Sequence, residues 1–219
     1  MEPIIKDNKI MAYSYPIKVG KIVYGTKYLK RSDLRDLFPQ YQFCFVKQVH
    51  GRTVVPANSG KLVEADAHWT EEKNRALVVH TADCLPVLLN SGRRICAVHA
   101  GWRGVENQIV LSALKIFPDL SELEVGIGPH ITQESFIVSK DVADKLKKSS
   151  PQGENRMTPI EEEKYRVSLM DLMKDQILHK TSVKGWWNLP INTFSSNLFH
   201  SFRRTAEKNI GQSSFIVLD

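Results

Sequence analysis

The sequence predicts one α+β domain over residues 1–219, and three observations carry that reading. Short apolar, β-branched runs bounded by turn residues dominate the first 140 or so positions. Amphipathic helical segments lie among and after them, and no linker, internal repeat or low-complexity tract divides the chain. A chain of 219 residues is enough for one sizeable core and too short for two full ones.

The elements follow in order. Residues 1–20 read as an edge strand or arm. Leu29, Leu34 and Leu37 have helical spacing over 27–37, with Ser32 as cap and Pro39 as stop. Residues 42–49 form a buried strand that runs into His50-Gly51, where Gly51 permits an unusual backbone angle. Strands are expected at 76–80, 85–89 and 94–99, the last two joined by the turn Asn90-Ser91-Gly92. Gly101-Trp102-Arg103-Gly104 turns into a helix over 105–117 that Pro118 ends. Strands at 123–127 and 135–138 come next, then a helix over 139–148 capped by Ser139 and a mobile loop over 149–163. A helix over 168–180 opens on the capping box of Ser168 and Asp171. A loop over 185–190, a helix over 194–204 and a closing strand over 213–218 complete the chain.

Composition narrows the class of protein. With 42% hydrophobic and 25% charged residues the chain reads as soluble and globular. Its apolar runs are far too short to span a bilayer, and its start lacks the pattern of a signal peptide, so a cytoplasmic location is expected. Three cysteines at irregular spacing argue against a disulfide scaffold. Cys44 and Cys96 sit in apolar strands and read as core, whereas Cys84 lies at a polar-to-apolar transition. The net charge of +6 comes without a basic stripe interleaved with aromatics, so the expected partners are anionic small molecules, with no nucleic acid and no membrane.

Cys84 and His99 stand at opposite ends of a predicted hairpin, and His50 ends an earlier strand. One thiolate and two imidazoles with an open fourth position suit catalytic zinc. A metal-free Cys84–His99 nucleophile pair and a purely structural set fit the same spacing. Asp83 could move protons or orient a histidine. Arg103 and the helix start beside it form an anion cradle. His68, His80, His130, His179, His200 and Arg203-Arg204 are secondary candidates, His130 for a substrate contact and the arginine pair for an anion.

Four segments resemble the YfiH-like family, also called the laccase-domain, polyphenol oxidase or peptidoglycan editing factor family. They are Lys47-Gln48-Val49-His50-Gly51, Thr81-Ala82-Asp83-Cys84-Leu85-Pro86-Val87, His99-Ala100-Gly101-Trp102-Arg103-Gly104 and Gly126-Ile127-Gly128-Pro129. The resemblance spans about residues 15–218. It implies mixed β-sheets with helices on their outer faces, akin to the catalytic domain of cytotoxic necrotizing factor. It also implies a metal site, usually zinc, at His50, Cys84 and His99, with copper the less expected metal. The activity implied is phosphorolysis of adenosine, inosine and methylthioadenosine, with adenosine deamination. Amide hydrolysis of peptidoglycan precursors and copper-dependent phenol oxidation are the alternatives. The expected site therefore has Asp83, Cys84 and Arg103 as catalytic residues, and Gln48, Arg103, His130 and Arg204 as contacts for a purine nucleoside and phosphate. The chain departs from the family pattern at Asn192, where the family tends to have cysteine, at Gln212, where it has arginine, and at His68 and His80.

Overall fold

Backbone pairing in the computed structural model, which describes residues 1–57 and 62–219, sorts those residues into two six-stranded sheets and a three-stranded one. In chain order the elements are β1 (Glu2–Lys6), β2 (Lys9–Ile17), β3 (Gly20–Gly25), α1 (Leu34–Leu37), β4 (Gln42–Cys44), β5 (Val54–Pro56), β6 (Ala67–Thr70), β7 (Arg75–Thr81), β8 (Leu85–Asn90) and β9 (Ile95–Ala100). Then follow α2 (Trp102–Glu106), α3 (Ile109–Leu114), β10 (Glu124–Ile127), β11 (Ile137–Ser139), α4 (Lys140–Lys147), β12 (Met157–Glu161), β13 (Lys164–Val167), α5 (Leu169–Leu178), β14 (Gly185–Asn188), α6 (Phe202–Thr205) and β15 (Gln212–Leu218). The first sheet has the order β1-β2-β3-β15-β7-β4 and the second β14-β10-β8-β9-β6-β5. Both are mixed, with β4 parallel to β7 in the first and β10 parallel to β14 in the second.

The β8–β9 hairpin is buried along its whole length, which explains why both strands read as unbroken apolar runs. Successive side chains take opposite faces. Leu85, Val87, Leu89 and Val98 pack against Val110 and Ala113 of α3 and Leu172 and Met173 of α5. Leu88, Ile95 and Ala97 pack against Leu77, Val79 and Ile216 of the first sheet. The far side of the first sheet, with Val23, Val78 and Phe215, is closed by Leu34 and Phe38 around α1. The result is a helix–sheet–sheet–helix stack. Each fully buried Leu or Val contributes about 1.5–3 kcal/mol, so this pair of sheets is the stiff part of the molecule. Among the described residues no helix is long and apolar enough to cross a membrane.

Of the four connections that cross between the six-stranded sheets, three matter for the site. They join β4 to β5, β7 to β8, and β14 to β15.

Several elements differ from the sequence expectation. The helix expected over 105–117 is two short helices, α2 and α3, separated by Gln108 in a left-handed conformation (φ 56°). Its apolar residues still share one buried face, so the spacing survives the break. Residues 149–163, expected as a mobile loop, contain β12, which pairs with β13 and through it with β11. Residues 185–188 form β14 rather than a loop, since β10 offers a parallel edge. Only Phe202–Thr205 of the 194–204 segment is helical. Ser32 lies inside a 3-10 turn instead of capping α1, and Ser139 binds the Asp141 side chain rather than a helix N–H. Ser168 does cap α5, accepting from Asp171 N at 3.2 Å.

Candidate active site

Two of the sheet-to-sheet crossings and one strand bring the Cys84 thiol and two imidazoles together. His50 lies on the β4–β5 crossing, Cys84 ends the β7–β8 crossing, and His99 is on β9. The hairpin register pairs Leu85 with Ala100 and Pro86 with His99, which brings Cys84 level with Gly101. One donor atom from each of His50, Cys84 and His99 lies within 4.8 Å of the others. Cys84 Sγ is 3.9 Å from His50 Nε2, and the two imidazoles meet edge to face with centroids 4.7 Å apart. Among the described residues this is the only such group of three. The left-handed residue at the first turn is His50 itself (φ 60°), not Gly51.

A residue with no role in the sequence reading, Asp66, holds this arrangement. Its fully buried carboxylate accepts from the backbone N–H groups of Val49 (3.2 Å), His50 (2.9 Å) and Gly51 (2.6 Å). It also accepts from His99 Nδ1 at 2.7 Å. Burial alone would raise the Asp66 pKa, but the hydrogen bonds from His99, Gly51 and His50 bring it below the usual value. With Nδ1 carrying the proton, His99 is left with a bare Nε2, the form that binds a metal. Asp83, the sequence candidate for orienting a histidine, does not do so. The signal available in the sequence was an acid between two alanines in Glu64-Ala65-Asp66-Ala67-His68, at the mouth of a strand, where a buried carboxylate must find partners.

The donor set fits a tetrahedral zinc ion with one open position. Gly101 keeps the space clear, because a Cβ there would lie 2.9 Å from His50 Cδ2 and 3.1 Å from Cys84 Sγ. In the metal-free chain, burial pushes the Cys84 thiol up, but the charge on His99 and hydrogen bonds from both imidazoles bring it down to about 6. Burial likewise lowers His99, and the Cys84 thiolate and Asp66 overcome it, raising His99 to about 9. Cys96, buried without such partners, is only pushed up.

His50 and Cys84 border a cleft of about 380 Å³, with His99 buried behind them. Trp102, Ile131, Phe136, Leu169 and Phe202 form its apolar walls, while Asp83, Arg103 and Arg203 give it polar groups. That size and lining suit a small molecule with one flat apolar part and one anionic part. Arg103 stacks on Trp102, 4.4 Å from the ring centroid, and Arg203 donates one N–H to Ile137 O at 2.8 Å.

Three expected substrate contacts are engaged elsewhere. Gln48 exchanges two 2.8 Å hydrogen bonds with the His80 backbone. His130 is buried, its Nδ1 2.8 Å from Gly128 O. Arg204 donates to the carbonyls of Thr193, Phe194, Ser196 and Phe199. None of the three lines the cleft, and of the arginine pair it is Arg203 that does. His68 binds Val78 O, and His80 Nδ1 lies 3.4 Å from Ser213 Oγ. Asn192 fills its unusual position by binding Ser135 Oγ and the Phe194 N–H.

A layered fold of two mixed sheets with a Cys-His-His cluster at their crossings defines a class of metal-site proteins. The chain belongs to the family described as multi-copper polyphenol oxidoreductase laccase, whose model matches residues 30–219. A purine nucleoside phosphorylase of Haemophilus influenzae is 34% identical over 168 residues, which cover 73% of this chain and 68% of that one. A Neisseria meningitidis protein of the DUF152 family superposes with a TM-score of 0.84 at 23% identity, covering 95% of this chain and 99% of the other. The Bacillus licheniformis protein YfiH superposes with a TM-score of 0.83 at 20% identity, covering 91% and 92%.

Proposed function

We propose that this chain is a zinc-dependent purine nucleoside phosphorylase of the cytoplasm, acting on adenosine, inosine and methylthioadenosine, and that it also deaminates adenosine. The observation that carries the reading is the cleft itself, where two members of the His50-Cys84-His99 cluster, apolar aromatic walls and two arginines line one space large enough for a nucleoside. The name of the Haemophilus influenzae relative supports the same activity. Three free cysteines suit a reducing compartment.

His50, Cys84 and His99 would hold the metal, which supplies a Lewis acid at the base of the cleft. Trp102, Phe136 and Phe202 receive the flat purine and exclude water from it. Arg103 and Arg203 hold phosphate by charge-assisted hydrogen bonds. A phosphate oxygen then bonds to the ribose anomeric carbon as the bond from that carbon to the purine nitrogen breaks. The electron pair leaves with the base, whose nitrogen takes up the proton that the hydrogen phosphate gives up, so the products are ribose 1-phosphate and free purine. Orientation of two bound reactants accounts for much of the rate.

Purified protein with inosine, with and without phosphate, tests this. Hypoxanthine and ribose 1-phosphate are expected only with phosphate, and adenosine should yield inosine in either case. Absence of hypoxanthine in both conditions contradicts the phosphorylase reading. The lowered Cys84 pKa and its His99 partner favour a second reading, a Cys-His amide hydrolase acting on peptidoglycan precursors. Its activity would survive a chelator. A copper phenol oxidase would instead consume oxygen after copper loading.

A further inference from the structure

We propose that Asp83 is a positioning residue whose carboxylate, gripped by the 193–203 segment, sets the metal ligand Cys84 and the cleft-facing Arg203 relative to each other. Asp83 Oδ1 accepts from Thr193 Oγ1 at 2.6 Å. Its Oδ2 accepts from Ser201 Oγ at 3.1 Å and from the Arg203 backbone N–H at 2.7 Å. All three donors come from the β14–β15 crossing, while Asp83 lies on the β7–β8 crossing, so one carboxylate ties two sheet-to-sheet connections together.

The neighbours show what the tie controls. Cys84 is the next residue in the chain, and its thiol faces His50. Asp83 adopts a left-handed backbone (φ 84°), a strained conformation that persists only where the surroundings hold it. On the other side, the Arg203 N–H that binds Asp83 belongs to the residue whose guanidinium lines the cleft. Arg204 keeps the gripping segment in shape through its four bonds to backbone carbonyls.

The kinetic part of the test rests on the phosphorylase reading, so zinc affinity is measured first, by competition with a chelating indicator. Thr193→Val removes one donor at constant size, and Thr193→Ser restores it. Thr193→Val should bind zinc about tenfold more weakly, as for other groups that orient metal ligands. Its KM for phosphate should rise more than its kcat falls, and Thr193→Ser should recover both. Asp83→Asn should weaken zinc binding in the same direction, since the acceptor loses its charge and Thr193 Oγ1 must turn to accept from the amide. Wild-type zinc affinity in Thr193→Val overturns the proposal. So does Asp83→Asn with full zinc affinity and lost kcat, which would make Asp83 a proton carrier. If the wild-type protein shows no phosphorolysis, the phosphorylase reading fails and the zinc affinities still decide the role of Asp83.

Discussion

At Asp66 a buried carboxylate meets three successive backbone N–H groups and the ring of His99, one of the three clustered donors. Asp66→Ala would leave those partly buried donors, and the buried His99 ring, unpaired. Losing one partner of a buried pair costs about 3–5 kcal/mol, and zinc affinity should fall by roughly 10–100-fold as His99 loses its orientation. Urea unfolding and metal competition on the same variant check both. At Gly101 the expectation is more selective. Gly101→Ala puts a methyl within 2.9 Å of His50 and 3.1 Å of Cys84, so metal content should collapse while circular dichroism stays native. The triad was readable because each donor sits in a recognisable segment at a strand end. Asp66 was not, because its partners lie 15 to 33 positions away and a lone acid before a strand reads as a turn. Gln48, His130 and Arg204 were misplaced for a related reason. Proximity in sequence to a site does not say where a side chain points, and all three spend their polar groups on backbone.

The strands of the central hairpin were legible because burial on both faces leaves an apolar run that little else produces. The helices were less so. Apolar spacing cannot show the left-handed Gln108, since the residues on either side return to the same face. The hairpin of β12 and β13 is mostly polar and exposed, and its one alternating run, Lys164–Val167, is too short to stand out in the sequence. Residues 194–201 have helix-compatible side chains, yet their carbonyls are taken up by the Arg204 guanidinium instead of by N–H groups one turn on. Replacing Arg204 with alanine should therefore loosen this whole segment. A loss of at least about 2 kcal/mol in thermal or urea unfolding is expected, given that bonds to charged groups contribute about 1.5–3 kcal/mol each and are not additive.

Across the whole molecule, the site lies where connections between the two sheets converge, and the sheets are tied to each other close by. His68 on β6 of the second sheet binds Val78 O on β7 of the first at 3.1 Å. Burial lowers its pKa to about 4, only partly opposed by that hydrogen bond, and His130 is lowered to about 4 in the same way. Above pH 6.5 both histidines are neutral whether the chain is folded or not, and their contribution to stability is complete. As pH falls from 6.5 toward 4 the unfolded chain takes up protons that the folded chain refuses, so stability drops, by up to roughly 3 kcal/mol per histidine. Urea midpoints measured across that window should fall steadily, and a flat or rising profile would contradict the burial of neutral histidines.

A single α+β domain was legible from the apolar strand-like runs and helical segments, and its sheets with outer helices were implied by the family resemblance, but the convergence of the crossings was not legible, because it depends on which sheet each strand joins. On the proposed function, this convergence holds one catalytic metal beside a nucleoside cleft. Titrating zinc into chelator-stripped protein, while following phosphate-dependent hypoxanthine release from inosine, tests it most directly. Activity should rise linearly to one zinc per chain and then level off, and Cys84→Ser should remain inactive throughout. Undiminished phosphorolysis by the stripped, metal-free protein would contradict it.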